Sequence, residues 1–364
     1  MSCFCLTTGE KPSIRAILPD MSAESDSSKA WRDSPINPNR RYADRFAANT
    51  LADQQVEAAT RELRDVFEEA EAHPGDRRLA GGAIRSAWQV LMMVGFSDFD
   101  EMRRVNTEDW SSIIDPKQHA LVSLALEIVG WYQFGLRPYD IDRTARIFDR
   151  ALELTPHNQR ALERFAIIAN EIQPAHIGGL AKFPKKQKET ALGYRLQCKR
   201  KIDNILHDVF GITEAHLVGQ ADQTVASVCK TLKDRDRKFV FSILGHLSRI
   251  NLAVGEFFGN GTQLSLGMGA ACCQLEMLGY SRDVSNALAL FRSQLEEHGE
   301  EDVAGEETPL VRQILASIAS LCESKWTIFQ NRAAQRRAAE IRGFLARLDD
   351  STANTLDKST FSPD

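Results

Sequence analysis

Phe239-Val-Phe-Ser-Ile-Leu-Gly-His-Leu-Ser-Arg-Ile-Asn-Leu-Ala-Val254 is the stretch that decides the fold. Val240, Ile243, Leu244, Leu247, Ile250 and Leu252 recur at helical spacing around much of the circumference. A helix that is apolar on most sides has to be surrounded by other elements, so 239–254 is expected at the centre of the molecule. The same period continues in both directions. Upstream, 119–134 is nearly apolar on every side and reads as a buried helix, while 144–154 is amphipathic and stops at Thr155-Pro156. Residues 202–210 and 225–232 read as further helices. Leu51, Val56, Ala59, Leu63, Phe67 and Ala70 form a helical face behind a capping box at Thr50-Leu-Ala-Asp53. Ile84, Ala87, Trp88, Leu91 and Met92 form another, ending near Gly95. Downstream, helices are expected over 270–278, 284–298, 309–323 and 325–348. No segment alternates with period two. The expectation is all-α: a two-lobed helical core with flexible N- and C-terminal arms.

The arms follow from composition. Residues 1–49 are rich in Ser, Pro, Asn, Asp and Arg and bury too little apolar surface to offset their ordering entropy. They read as a flexible arm, with Trp31, Ile36, Tyr42 and Phe46 able to anchor it on another surface. Residues 50–260 are then an N-terminal helical lobe, 261–348 a C-terminal helical lobe and 349–364 a polar tail. The run 296–307 holds seven carboxylates and reads as an exposed loop. Residues 143–165 resemble the second helix of a tetratricopeptide repeat, but no partner repeat lies at that family's spacing on either side. An isolated match of this kind is more often an ordinary helix hairpin than a repeat.

The chain has 364 residues with 43% apolar and 26% charged side chains, the balance of a soluble globular protein. No apolar run approaches the roughly 20 residues that span a bilayer, so no membrane insertion is expected. The first residues show neither the basic start nor the apolar core of a signal peptide, which favours the cytosol, or a nucleus reached another way. Seven cysteines, an odd number without C-x-x-C, read as free thiols, several of them in the core. The histidines are scattered and no metal or cofactor site is readable. Gly255, Gly259, Gly261, Gly267 and Gly269 raise the thought of a phosphate loop, yet the lysine of G-x-x-x-x-G-K-[ST] is absent. These glycines read instead as a sharp hinge and a close helix contact. Hydrolase and metalloprotease signatures are also missing, and the chain is not expected to be an enzyme.

One stretch departs from the average. In Lys182-Phe-Pro-Lys-Lys-Gln-Lys-Glu-Thr-Ala-Leu-Gly-Tyr-Arg-Leu-Gln-Cys-Lys-Arg-Lys201, eight of twenty residues are basic and Glu189 is the lone acid. The local charge is +7 in a chain of formal net charge −5. Concentrated positive charge attracts polyanions, of which phosphate backbones are the commonest. A solvated helix face with a Lys-rich loop explains it equally well. If a helix starts near Thr190, Arg195 and Lys199 share a face beside a core-facing Leu192 and Leu196, forming one wall of a groove. Single-stranded nucleic acid is held by such a groove with planar side chains against its bases.

Residues 187–203 resemble the basic segment of nucleoproteins of non-segmented negative-strand RNA viruses. There a Gln and basic residues precede a hydrophobic pair, a Gly, an aromatic-Arg-Leu and a further basic cluster. Phe257-Phe-Gly-Asn-Gly-Thr-Gln-Leu-Ser-Leu-Gly-Met-Gly269 is similar to a shortened form of that family's second motif. Phe257, Gly259, Leu264, Ser265, Met268 and Gly269 fall in matching order. The motif's aromatic is replaced by Gly261 or Thr262, and Gly267 stands for the usual Ala. A divergent member, like those of fungal mymonaviruses, is the form the resemblance takes. It implies RNA clamped between two lobes, by Lys182, Lys185, Lys186, Gln187, Lys188, Tyr194, Arg195, Lys199, Arg200 and Lys201 on one wall. Asn260, Thr262, Gln263 and Ser265 would lie at the lobe junction. It also implies a homo-oligomer with arms exchanged between protomers, a viral polymerase cofactor as partner, and a place in the virion nucleocapsid and host cytoplasm. The competing expectation is a helical-repeat-like scaffold that binds proteins, supported by 143–165 and by the Arg-rich last helix.

Overall fold

The computed structural model describes residues 45–96, 110–136, 141–176, 184–302 and 307–359. Among them are fourteen α-helices and no strand, so the protein is all-α. The chain divides into two compact units. One takes the described residues up to Tyr132 with Glu153–Thr155, and the other takes Gln133–Leu152 and the described residues from Pro156 onward.

The first unit holds α1 (Asp53–Ala72), α2 (Arg77–Val94), α3 (Trp110–Ile113) and most of α4 (His119–Leu136). The α1 face Leu63, Phe67 and Ala70 is buried as its spacing predicts. Its start differs from the expected capping box. Thr50 Oγ1 donates to Ala47 O of the preceding turn at 3.2 Å, and Gln55 Oε1 accepts from Ala52 N at 3.0 Å instead. Asp76 caps α2, accepting from Arg78 N at 2.8 Å and Leu79 N at 3.3 Å. That places the carboxylate against the positive end of the helix and holds it below its ordinary range. On α2 the buried face is Ala83, Ala87, Val90, Leu91 and Val94, so Met92 points to solvent and not inward as expected. All of residues 121–130 of α4 are buried, the fate read from their unbroken apolarity. Phe46 is buried too, its ring 4.9 Å from Phe96, which in turn stacks on Trp110 at 5.1 Å. Of the four residues expected to anchor the arm, Phe46 docks on its own unit. Trp31, Ile36 and Tyr42 lie outside the described residues.

The second unit contains α5 (Ile141–Leu154, to Leu152), α6 (Gln159–Glu171), α7 (Pro184–Phe210), α8 (Glu214–Val218) and α9 (Val225–Lys230). It continues with α10 (Asp234–Phe258), α11 (Gly261–Met277), α12 (Val284–Asp302), α13 (Glu307–Phe329) and α14 (Arg332–Ser359). α10 is the hub, packing on α6, α7, α11 and α13. Phe239, Val240, Ile243, Leu244, Leu247, Ile250 and Val254 are all buried. The glycine-rich stretch is the α10–α11 hairpin. Gly259 closes α10 in the left-handed region (φ 59°), and the Asn260 side chain then opens α11. A Cβ on Gly255 would lie 2.6 Å from Leu264 Cδ2, and one on Gly269 would overlap Leu217 O of α8. Hinge and close approach are therefore both real, and they let two helices pack along their length. Residues 258–261, expected as a lobe boundary, are a tight turn inside this unit, and the division between units falls at Tyr132.

Three further boundaries differ from expectation. The acidic run is helical through Asp302 and again from Glu307, with 303–306 outside the described residues. The last expected helix, 325–348, is two helices: Gln330 takes φ 54° and Asn331 Oδ1 accepts from Ala334 N at 3.0 Å, starting α14 afresh. That cap was legible as Asn331 before Arg-Ala-Ala. The tail expected from 349 continues as helix to Ser359. Val311, Ile314, Leu315, Ile318 and Cys322 of α13 pack with Ala334, Ala338, Ile341 and Phe344 of α14 in one core.

Candidate nucleic-acid interface

The basic stretch is the first two-thirds of α7. Pro184 stands at the first helical position, where its missing N–H is not required, so the helix begins six residues before Thr190. Lys182 lies outside the described residues. Lys185, Lys186 and Lys188 are exposed on the opening turns, and Arg200 is exposed farther along. Among the described residues, Lys185 makes one long pair, with Glu189 at 3.9 Å. Gln187 is half-buried between them.

The remaining cations of α7 are turned to internal work. Leu192 and Leu196 face the core as expected. Arg195, however, donates through Nε to Ala169 O at 3.1 Å and through Nη2 to Ile172 O at 2.8 Å. It satisfies carbonyls at the end of α6 that have no partner within their helix. Burial lowers the pKa of its guanidinium. Lys199 is 8% exposed and binds Asp203 at 2.6 Å, with Glu214 at 3.8 Å. Burial raises the Asp203 carboxyl, while Lys199 draws it back down. Lys201 pairs with Asp149 at 3.2 Å. Tyr194, 8% exposed, donates to Asp142 Oδ1 at 2.8 Å and accepts from Arg146 Nε at 2.8 Å. Burial, reinforced by Asp142, raises its phenol above the ordinary value. Its ring is closed to a base. Two side-chain links, Asp142–Tyr194 and Asp149–Lys201, join α5 to α7, and the second neutralises a base of α7. The expected groove wall of Arg195 and Lys199 is used up in folding, the first on α6 carbonyls and the second on Asp203 and Glu214.

The second motif supports itself in the same way. Asn260 Oδ1 accepts from Thr262 N at 2.9 Å and Gln263 N at 3.3 Å. Ser265 Oγ accepts from Lys325 Nζ at 3.0 Å. Gln263 Oε1 is buried with no hydrogen-bond partner among the described residues. Thr262 is exposed. Phe257 and Phe329 are 43% and 47% exposed, and the Phe329 ring lies 3.3 Å from where a Cβ on Gly261 would stand. An aromatic from α13 therefore covers Gly261. No local signal marks Phe329 or Lys325, because each meets its partner from sixty or more positions away.

Phe210 meets Phe239 at 5.9 Å, at the end of α7 and the start of α10. Arg195 and His246, farther back and farther on, both meet the last turns of α6, so the two helices run in opposing senses. The α7 lysines and the α10–α11 turn therefore lie toward the same end of the second unit. At the opposite end is a basic cluster that went unread in the sequence. Lys233, Arg235 and Lys238 are exposed at the start of α10, while Arg237 pairs with Asp234 at 2.8 Å. The alternation with Asp234 and Asp236 hides it from a charge count.

No protein-family model, curated protein sequence or solved structure matches this chain.

Proposed function

We propose that the chain coats single-stranded RNA through the phosphate backbone, without sequence preference, and assembles with copies of itself as a viral nucleoprotein. The observation that carries this reading is the exposed trio Lys185, Lys186 and Lys188 on the opening turns of α7. Positive charge at a helix N-terminus opposes the helix dipole and destabilises the helix. Such a locally unfavourable arrangement is expected where a ligand supplies the compensating charge. Exposed Phe257 and Phe329, toward the same end of the unit, are the kind of surface on which bases stack. Tyr194, Arg195, Lys199 and Lys201 are left out of the RNA surface because their contacts are internal. Thr262 belongs to it, and Asn260, Gln263 and Ser265 support the turn that presents it. Virion nucleocapsid and host cytoplasm are the locations this reading implies, with a viral polymerase cofactor as a further partner.

The test is purification without nuclease, followed by absorbance at 260 and 280 nm and negative-stain imaging. Filaments or rings with high absorbance at 260 nm are expected. Replacing Lys185, Lys186, Lys188 and Arg200 with Ala should abolish the co-purified RNA at unchanged helicity. It should also flatten the salt dependence of RNA binding, since each lost phosphate contact removes about 0.7 from the log–log slope. Unchanged RNA content in that variant rejects the assignment.

A scaffold that binds proteins is favoured by a different observation. Between α1 and α2 runs a groove of about 270 Å³ lined by Ala58, Leu63, Val90 and the 47% exposed Met93, with Gln55, Glu62, Ser86 and Gln89 as its polar part. A flexible methionine at the rim of such a groove adapts to varied apolar partners. A monodisperse, RNA-free protein would move the assignment to this reading.

A further inference from the structure

We infer that a cavity between α10, α11 and α13 binds a small tetrahedral oxyanion, either free phosphate or the phosphate of a small ester. The cavity has about 200 Å³ and is lined by Ser242, His246, Arg249, Gln274, Gln313 and Ser317, with apolar side chains as its remainder. That volume holds roughly six waters' worth of liquid, enough for a phosphate with its nearest waters.

The polar lining contains one cation, four hydroxyl or amide groups that can donate or accept, a neutral imidazole, and no carboxylate. Arg249 is exposed at the mouth, and among the described residues no acid pairs with it. Two of the polar side chains are more than nine-tenths buried, His246 and Gln274, each 7% exposed. Gln274 is held in place by donating through Nε2 to Phe241 O at 2.8 Å. His246 has a fixed tautomer. The Asn170 amide nitrogen donates to Ala166 O at 2.9 Å and lies 3.2 Å from His246 Nδ1. Nδ1 therefore accepts, and the neutral ring carries its proton on Nε2 as a donor. Burial, followed by the nearby Arg249, pulls this imidazole down to about 4, so the ring stays neutral at ordinary pH. The Ser317 hydroxyl already donates to Gln313 O at 3.1 Å. Ser242 Oγ and the amide of the exposed Gln313 make no side-chain hydrogen bond among the described residues and are able to donate into the cavity.

A guanidinium beside hydroxyls and amides able to donate, with no competing anion, favours an oxyanion over a metal ion or an amine. The α7 lysines take no part in this site, so it stands or falls separately from the RNA reading.

Equilibrium dialysis with radiolabelled inorganic phosphate tests it, together with thermal melts in sodium phosphate and sodium chloride at matched ionic strength. The full chain is expected to bind one phosphate saturably and to melt higher in phosphate. Arg249→Gln, at an exposed position, should fold normally and bind phosphate about tenfold more weakly or worse, and Gln313→Ala several-fold more weakly. Lys185→Ala should bind phosphate as the wild type does. Absence of saturable binding, or unchanged affinity in Arg249→Gln, overturns the site. Displacement of the phosphate by a short single-stranded RNA, lost in Arg249→Gln, overturns the small-anion assignment in favour of the RNA backbone.

Discussion

His246 shows how a single side chain ties stability to pH. Its folded pKa, lowered to about 4, lies below its ordinary value of 6.5, so protonation favours the unfolded chain. The stability that comes from keeping the ring neutral is whole above pH 6.5 and is lost as the pH falls from 6.5 toward 4. A displacement of that size is worth about 3 kcal/mol at its limit. Arg249 is the charged group facing the ring, and it adds to the cost of a second positive charge. Urea midpoints at pH 7, 5.5 and 4.5 should fall more steeply for the wild type than for His246→Gln. Parallel curves for the two proteins would show that the imidazole titrates normally. Arg195 makes a different point at the same scale. In the sequence it is one more positive charge, whereas in the fold it is the cap of another helix.

Among the elements, α7 carries both roles of the basic stretch, and substitutions separate them. Lys188→Glu places an acid in the opening turns and should raise stability by about 0.3–1 kcal/mol while weakening RNA binding. Arg195→Ala strands the carbonyls of Ala169 and Ile172 and should cost about 1.5–3 kcal/mol. Chemical denaturation read by circular dichroism distinguishes them, and loss of stability in Lys188→Glu would rule out an unfavourable dipole at that turn. The helices themselves were largely readable. The unbroken apolarity of 119–134, the buried face of α1 and the near-circumferential pattern of α10 all emerge as expected, because periodicity is a property of neighbouring residues. Ends were less readable. Thr50, Asn331 and the start at Pro184 turn on whether one side chain bonds this turn or the next, a competition of about 1 kcal/mol.

For the whole molecule, the free thiols are a direct probe. Cys198, Cys229, Cys272, Cys273 and Cys322 are all buried in the second unit. Burial raises every one of them, Cys229 and Cys272 to about 11 and Cys273 to about 12. Thiolate is the reacting form, so these five should be silent toward a disulfide reagent at pH 8. No more than two thiols per native chain are expected to react, and all seven after denaturation. Rapid labelling of more than two would mean that the second unit opens readily.

Helix content, the buried α10, the glycine hinge and the core thiols were determined by the amino-acid order alone. Each depends on spacing along the chain or on the absence of a side chain at one position. Tertiary structure decided which charges are available. Asp142, Asp149 and Glu214 come from other segments to meet Tyr194, Lys201 and Lys199, while Lys185, Lys186, Lys188 and Arg200 stay exposed. It also brought Phe329 onto Gly261 and gathered Arg249 and Gln313 around one cavity. Pairing acts through space over a few ångströms, and positions far apart in the chain become neighbours only when helices pack.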